Sequence, residues 1–316
     1  MKRALLVGVD EYDLFPSLTG CCNDVRALEP LLRRNENEEP NFSCNILTSD
    51  RGQVTRDNLL ANLRKLLNPA GSVALLYFAG HGYRQDNDVD LVTSDGTEKS
   101  PGVALSQVLS IVQSSRVPEI VLILDACFSG AAGGVPQLGS ASSTLRPGVS
   151  ILSASQDGEA AGERGGRGVF SSYLEDALRG GAADLLGRVT VAGVYAYLSE
   201  MFGPWDQRPT FKANIDQLHE LRQTRPDISR PRLRELAALF PRPDYHLPLD
   251  PSYEPTEEPR DLGHEADFAL LQAARAVKLV EPVSEEHLYF AALHSTACRL
   301  TRTGQHYWKL AREGRL

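Results

Sequence analysis

Short apolar runs alternate along this chain with stretches in which apolar residues recur every three or four positions. The apolar runs predict strands, at residues 3–9, 43–48, 72–79, 119–125 and 149–153. The stretches with helical spacing predict helices, at residues 23–34, 55–67, 104–113 and 169–179. Strands that are apolar on both faces and alternate with helices indicate an α/β fold, with a mainly parallel sheet covered by helices on both faces.

The pattern changes near residue 220, and this change predicts the domain organisation. Prolines become frequent between residues 226 and 259, so we interpret residues 221–262 as a Pro-rich linker with one short helix at 232–240. Helical spacing returns over residues 263–316, in three helical segments. We therefore predict a first domain over residues 1–220 and a small helical C-terminal module over 263–316.

Composition narrows the class of protein. The chain has 42% hydrophobic and 23% charged residues, typical of a globular protein, and no apolar run long enough to span a membrane. Asp10 and Glu11 interrupt the apolar N-terminal segment, so we interpret it as a strand rather than a signal peptide and predict a cytoplasmic protein. The net charge of −8 argues against nucleic-acid binding, and five cysteines without paired spacing predict free thiols.

A histidine and a cysteine follow two of the predicted strands. His81 lies between two glycines after the strand at 72–79, and Cys127 follows the strand at 119–125. Ligand sites of parallel sheets lie beyond the carboxyl ends of the strands, and an imidazole there can activate a thiol as a nucleophile. The backbone N–H groups of Gly82 and Cys127 could converge on an oxyanion. Either side chain alone is more often structural, but the combination favours a catalytic pair.

The same blocks carry a family resemblance. The sequences YFAGHG at 77–82 and DACFSG at 125–130 resemble the His and Cys motifs of caspase-like cysteine peptidases, especially metacaspases and their bacterial relatives. Further similar blocks follow in the same order over about residues 1–220, at 8–12, 18–25, 153–160, 168–171 and 207–209. The resemblance implies a caspase-like, mainly parallel six-stranded sheet over these residues. It also implies cleavage of proteins through a thioester, with Cys127 as nucleophile and His81 as base.

The resemblance also implies a substrate preference. Metacaspases use acidic residues to hold a basic side chain at P1, the substrate residue before the cleaved bond, and the matching positions are Asp24 and Asp125. We therefore expect cleavage after Arg or Lys, because two carboxylates near one cleft favour a cationic side chain. A structural alternative for Asp24 is the N-cap of the helix it begins. Asp125 ends an apolar strand, where an ionised carboxylate needs a partner.

Four aspartates follow His81 in a short segment. Comparable regions of several metacaspases bind calcium, and Asp86, Asp88, Asp90 and Asp95 could supply part of a calcium shell. The alternative is a solvated acidic loop, and the spacing does not match an EF-hand. The reaction itself requires no cofactor.

Two further segments concern regulation. The Gly/Ser-rich segment 128–147 directly follows Cys127. Two modes of activation remain open: the enzyme cleaves itself after Arg164 or Arg167, or it acts as an intact chain.

The C-terminal pattern from Leu300 resembles small winged-helix modules with a basic end. Residues 263–316 nevertheless carry seven Lys and Arg against six Asp and Glu. This near balance of charge favours a module that binds a regulatory protein over one that binds DNA. The pathway that we expect is bacterial defence or signalling. The alternative for the whole chain is a catalytically idle caspase-like scaffold.

Overall fold

Two units make up the chain, Met1–Arg225 and Pro226–Leu316. The computed structural model describes residues 1–68, 71–85, 88–128, 145–154, 165–202, 209–215 and 219–316, except the side chains of residues 85, 127 and 128. Asp86, Arg164, the Cys127 thiol and most of the segment 128–147 lie outside this description, as do most of the similar blocks at 153–160 and 207–209. The observed division comes at residue 225, a few residues after the predicted end of the first domain.

A central sheet of eight strands organises the first unit. The main path of this sheet has six strands, in the order β2-β1-β3-β6-β7-β9. All neighbouring pairs on the path are parallel except β7 with β9, which confirms the predicted mainly parallel six-stranded arrangement. The strands β4 and β5 add an antiparallel extension beside β3. The strands of the main path are β1 (Lys2–Gly8), β2 (Phe42–Thr48), β3 (Val73–Gln85), β6 (Glu119–Phe128), β7 (Val149–Ser153) and β9 (Thr210–Asn214), and the extension is β4 (Asp88–Thr97) and β5 (Ser100–Ala104).

Helices cover both faces of this sheet because successive residues of a strand point to opposite faces. In β1, Leu5 and Val7 pack in one apolar cluster with residues of α2 and α3, whereas Ala4 and Leu6 pack in a second cluster with residues of α1, α4 and α5. A separate two-stranded sheet pairs β8 (Arg188–Thr190) with β10 (Glu220–Gln223). The helices are α1 (Cys21–Arg33), α2 (Arg56–Leu66), α3 (Leu105–Ser114), α4 (Val169–Asp176) and α5 (Val191–Met201).

Two strands are longer than the apolar pattern predicts. The predicted strands end at residues 79 and 125, but β3 continues through His81 and β6 continues through Cys127. The ladder between them continues to the pairing of Gly82 with Phe128. Gly80 is needed in this ladder because a Cβ there would lie 2.9 Å from the Tyr12 hydroxyl oxygen. Glycine therefore allows Tyr12 to pack against the strand and does not end it.

The second unit includes the segment that the sequence predicts to be a linker, so that prediction is wrong. Residues 226–262 supply the helix α6 (Arg230–Leu239) and the edge strand β11 (His246–Pro248), and Phe240 and Leu249 are buried. Prolines are compatible with both elements, because they fit the first turn of a helix and an edge strand. The later elements are α7 (Leu262–Ala276), β12 (Val280–Val283), α8 (Leu288–Leu293), β13 (Ala297–Leu300) and α9 (Arg302–Arg312).

The three predicted helical segments are present as α7, α8 and α9, but strands between them make this a mixed α/β unit. Its antiparallel sheet has the order β11-β13-β12, and a strand separates α7 from α8 and α8 from α9. The unit, described without gaps, therefore lacks the adjacent helix pair of a helix-turn-helix DNA reader, and the winged-helix resemblance is not confirmed. Within the predicted basic end, Arg312 donates to the carbonyl of Ala237 near the end of α6, 3.2 Å away. None of the described helices has the length and apolar character that a membrane crossing requires.

Candidate active site

His81 and Cys127 lie side by side on the two central strands of the sheet. The strand β3 pairs with β6 in parallel, and His81 is the register partner of Cys127. Gly82 follows as the partner of Phe128, so the backbone groups predicted to bind an oxyanion lie at the same edge of the sheet. The thiol of Cys127 lies outside the described side chains. The backbone alone therefore brings the two predicted catalytic residues together.

Two neighbours orient the His81 side chain and backbone. The ring atom Nε2 lies 2.8 Å from the carbonyl oxygen of Pro16, and the backbone N–H of His81 donates to the Tyr12 hydroxyl over 2.9 Å. The Tyr12 hydroxyl in turn donates to the carbonyl of Val9, 2.8 Å away, and its ring lies 4.9 Å from the imidazole, centre to centre. Because a carbonyl only accepts, neutral His81 carries its proton on Nε2 and leaves Nδ1 as the proton acceptor.

Sequence reasoning missed the roles of Tyr12 and Pro16. Tyr12 lies in the block 8–12 that carries the family resemblance, and this was the available signal. Burial raises the pKa of Tyr12, so its hydroxyl stays neutral and can donate and accept at the same time. A backbone carbonyl such as that of Pro16 leaves no signature in a sequence.

Asp10 binds the N-terminus of α1. The structural alternative considered for Asp24 from the sequence gave this role to Asp24 instead. The carboxylate oxygens of Asp10 accept from the backbone N–H groups of Cys21 and Cys22, over 2.9 and 3.1 Å. Carboxylates are favourable there because the first N–H groups of a helix have no partner within it. The N-cap interpretation of Asp24 is therefore wrong, and its carboxylate has other partners.

The carboxylates of Asp24 and Asp125 approach each other around Gly168, and we call these two residues the acidic pair. Asp24 is 1% exposed and Asp125 is 9% exposed. A Cβ on Gly168 would lie 3.0 Å from Oδ2 of Asp125 and 3.1 Å from Oδ2 of Asp24, so a larger residue there would crowd both carboxylates. The backbone N–H of Gly168 donates to Asp24 over 3.1 Å. The structure thus brings both predicted substrate-binding residues to one place.

Burial makes both carboxylates of the acidic pair hard to ionise. It raises the pKa of Asp125 to about 7, although the hydroxyl of Ser171 donates to Oδ2 and lowers that pKa. The Tyr77 hydroxyl lies 2.5 Å from the same Ser171 oxygen, so Ser171 is held in place on both sides. Burial also raises the pKa of Asp24 to about 6, despite the adjacent Arg167. Carboxylates with such raised pKa values are a frequent feature of functional sites.

Arg167 is a cation that contacts Asp24, one member of the acidic pair. Its Nε donates to Oδ1 of Asp24, and its Nη2 donates to Oε2 of Glu175 over 2.9 Å. The sequence predicts an exposed cleavage site at Arg167, but the Arg167 side chain is only 24% exposed. The sequence gives no sign of Glu175 as a partner, because it is one of many acidic residues in the predicted helices. Arg164, the other predicted cleavage site, lies outside the described residues.

The second group of acidic residues does not form a calcium site in the part of the chain that is described. Asp88 accepts from the backbone N–H groups of Val89 and Ser106, and Asp95 accepts from the N–H of Arg56 and the hydroxyl of Thr93. No three acidic, histidine or cysteine side chains converge among the described residues, whereas calcium takes six to eight oxygens. Asp90 is buried, and Asp86 lies outside the description.

The four described cysteines have the properties of structural thiols. Cys21, Cys22, Cys44 and Cys298 are unpaired. Burial raises the pKa of all four thiols, to about 11 for Cys44 and about 12 for Cys298. Because the thiolate is the nucleophile, none of these four is suited to attack at neutral pH.

Comparison with known proteins identifies the first unit. The caspase domain of the C14 peptidases matches residues 1–217 of this chain. Metacaspase-1 of Sclerotinia sclerotiorum is 30% identical over 203 residues, covering 59% of this chain and 45% of that protein. Metacaspase-1 of Yarrowia lipolytica is 28% identical over 208 residues, covering 60% and 43%. Metacaspase-2 of Trypanosoma brucei brucei is 27% identical over 154 residues, covering 42% and 43%.

A solved structure shows the same fold. Caspase-1 from Spodoptera frugiperda aligns with a TM-score of 0.51 at 13% sequence identity, over 70% of this chain and 92% of that one. The chain spans less than half the length of the metacaspases it matches.

Proposed function

Since the chain belongs to the caspase-domain family of peptidases, we propose that it is a cysteine endopeptidase with Cys127 as nucleophile and His81 as general base. The observation that carries this proposal is the register of the central strands, which makes His81 the direct neighbour of Cys127. The raised thiol pKa values of the other cysteines support the choice of Cys127. No metal or cofactor takes part in the proposed reaction.

The orientation of His81 supports a defined proton path. With Nε2–H held by the Pro16 carbonyl, Nδ1 takes the proton of the Cys127 thiol, and the thiolate attacks the carbonyl carbon of the peptide bond. The N–H groups of Gly82 and Cys127 stabilise the oxyanion. The intermediate collapses to a thioester as the imidazolium donates its proton to the leaving amine. Water, deprotonated by His81, then hydrolyses the thioester, and the released Cys127 thiolate takes the proton back from His81.

We propose that the acidic pair selects a basic residue at P1, so that cleavage follows Arg or Lys. Two features support this. Asp125 lies two residues before Cys127 on the same strand, and Asp24 approaches it on the other side of Gly168. Two buried carboxylates with raised pKa values gain most from a cation that forms charge-assisted hydrogen bonds with them.

We also propose that the second unit, Pro226–Leu316, binds a regulatory protein and that the enzyme acts in the cytoplasm in a bacterial defence or signalling pathway. The separate core of this unit and the exposed Phe290 on α8 support a docking role. The unpaired state of the four described cysteines supports a reducing compartment. The pathway rests on the resemblance to bacterial caspase-family proteins.

The test is covalent labelling together with turnover. We expect a peptide electrophile with an Arg side chain to add once to the wild-type chain, at Cys127, and Cys127→Ala or His81→Ala to abolish hydrolysis of the matching peptide. Cys44→Ala is the matched control, because Cys44 is partly exposed but has a raised thiol pKa, and it should keep wild-type turnover. Near-normal turnover by Cys127→Ala would disprove the mechanism. A folded wild-type chain that neither reacts nor hydrolyses would favour the idle scaffold.

A further inference from the structure

Asp24 of the acidic pair already binds a cation that belongs to the chain itself. The Nε of Arg167 donates to Asp24, and the next residue, Gly168, donates its N–H to the other oxygen of the same carboxylate. Asn23, beside Asp24, donates to the carbonyl of Gly166 over 3.2 Å. Residues 166–168 therefore follow the start of α1 around Asp24, and Gly168 also lies beside the carboxylate of Asp125.

We propose that Arg167 is a resident competitor in the P1 pocket, which a basic substrate residue must displace from Asp24. This inference rests on the proposed function of the acidic pair. A substrate guanidinium or ammonium group offers Asp24 the same kind of bond that Arg167 now provides. The two cations therefore compete for one carboxylate, and the affinity for substrate depends on how often Arg167 leaves it.

Glu175 makes the displacement feasible. Arg167 donates Nη2 to Glu175 as well as Nε to Asp24, so it retains one ionic partner when Asp24 is taken by the substrate. The Arg167 side chain is 24% exposed, so water can reach the guanidinium during the exchange. Arg179 also binds Glu175, over 2.7 Å, but is 59% exposed and makes no ion pair with Asp24. Arg179 is therefore a matched control on the same carboxylate.

The proposed competition predicts that removal of Arg167 strengthens binding of small guanidinium compounds. The probe is agmatine, titrated by calorimetry into the full-length chain, which carries Cys127→Ala so that no hydrolysis interferes. If the pocket is free about one tenth of the time, Arg167→Ala should lower the dissociation constant about tenfold. Arg179→Ala should leave it unchanged, and Asp24→Asn should abolish binding in both backgrounds.

A structural role for Arg167 predicts the opposite result. If Arg167 only clamps the chain, Arg167→Ala should weaken agmatine binding, and that outcome would overturn the proposal. Arg167→Gln removes the charge but keeps an unbranched polar side chain, and a melting curve for each variant separates misfolding from a change in affinity.

Steady-state kinetics of Arg167→Gln on an Arg peptide, with Cys127 intact, should show a lower KM at unchanged kcat. Agmatine binding does not depend on cleavage. If tightened binding occurs without hydrolysis of any peptide, the proposed peptidase function fails and the competition stands. If Arg peptides are hydrolysed but KM and the agmatine constant do not fall, the competition fails and the function stands.

Discussion

Two groups of carboxylates in the first unit have similar chemistry and different surroundings. In the acidic pair, Asp125 is buried and receives one side-chain hydrogen bond, from Ser171. On the β4–β5 extension, Asp95 accepts from the N–H of Arg56, the first residue of α2, and from Thr93. The carboxylate of Asp95 secures local backbone, whereas that of Asp125 is kept where ionisation is unfavourable.

This difference separates a structural carboxylate from a candidate binding carboxylate. Burying an acid whose pKa is near 7 adds no stability to the protein. We therefore expect such a group where a cationic ligand can pair with it. A cluster of acidic residues in the sequence carries no such information. The four aspartates at residues 86–95 are more closely spaced than Asp24 and Asp125, yet those that are described do not converge.

The largest expected effect is on substrate selectivity. Asp125→Asn should lower the ratio of kcat/KM for an Arg peptide over that for a glutamine peptide by about 100-fold, because about 3 kcal/mol is a typical loss when one partner of a buried ion pair is removed. Asp95→Asn should change the ratio less than about twofold, since Asp95 supports the helix α2 and not the pocket. Equal losses in both variants would erase the distinction between the two groups.

The pH dependence of the same ratio sharpens the comparison. The pKa values of Asp24 and Asp125 are raised to about 6 and about 7, so both carboxylates are largely protonated at pH 5.5 and ionised at pH 8. We therefore expect the preference for Arg over glutamine to rise about tenfold over this window, because only the ionised pair attracts the cation. The glutamine peptide controls for any pH dependence of the chemical step itself. A ratio independent of pH would contradict the raised pKa values.

The smallest expected effect is on stability, and it has opposite signs in the two groups. A raised carboxylate pKa stabilises the folded state fully below the unfolded pKa near 3.8, and this contribution is lost as pH rises through about 7. At pH 8, the variant Asp125→Asn, whose side chain is neutral, should therefore melt at a higher temperature than the wild-type protein. Asp95→Ala should destabilise the protein by about 1 kcal/mol at the same pH, because it leaves the N–H of Arg56, in the first turn of α2, without this partner. A lower melting temperature for Asp125→Asn would show that its charge is compensated.

Much of the fold and the centre of the site could be predicted from the sequence. Periodicity specifies which faces are apolar, and it predicted the parallel sheet with helices on both faces. His81 and Cys127 lie at the same distance from the first residue of their strands, so parallel pairing alone makes them neighbours. The short strands of the second unit were missed because three or four residues show no readable alternation, and the frequent prolines suggested a linker.

The sequence by itself determined the residue types that carry the chemistry and the strands on which they lie, because both follow from local pattern. Only the tertiary structure decided which carboxylate caps α1, which carbonyl holds His81 and which cation contacts Asp24. Asp10 reaches Cys21 from 11 positions away, and Arg167 reaches Asp24 from 143 positions away. Such contacts depend on the packing of separate elements against one sheet, and a side chain's burial, pKa and partner are properties of that packing rather than of its neighbours in the chain.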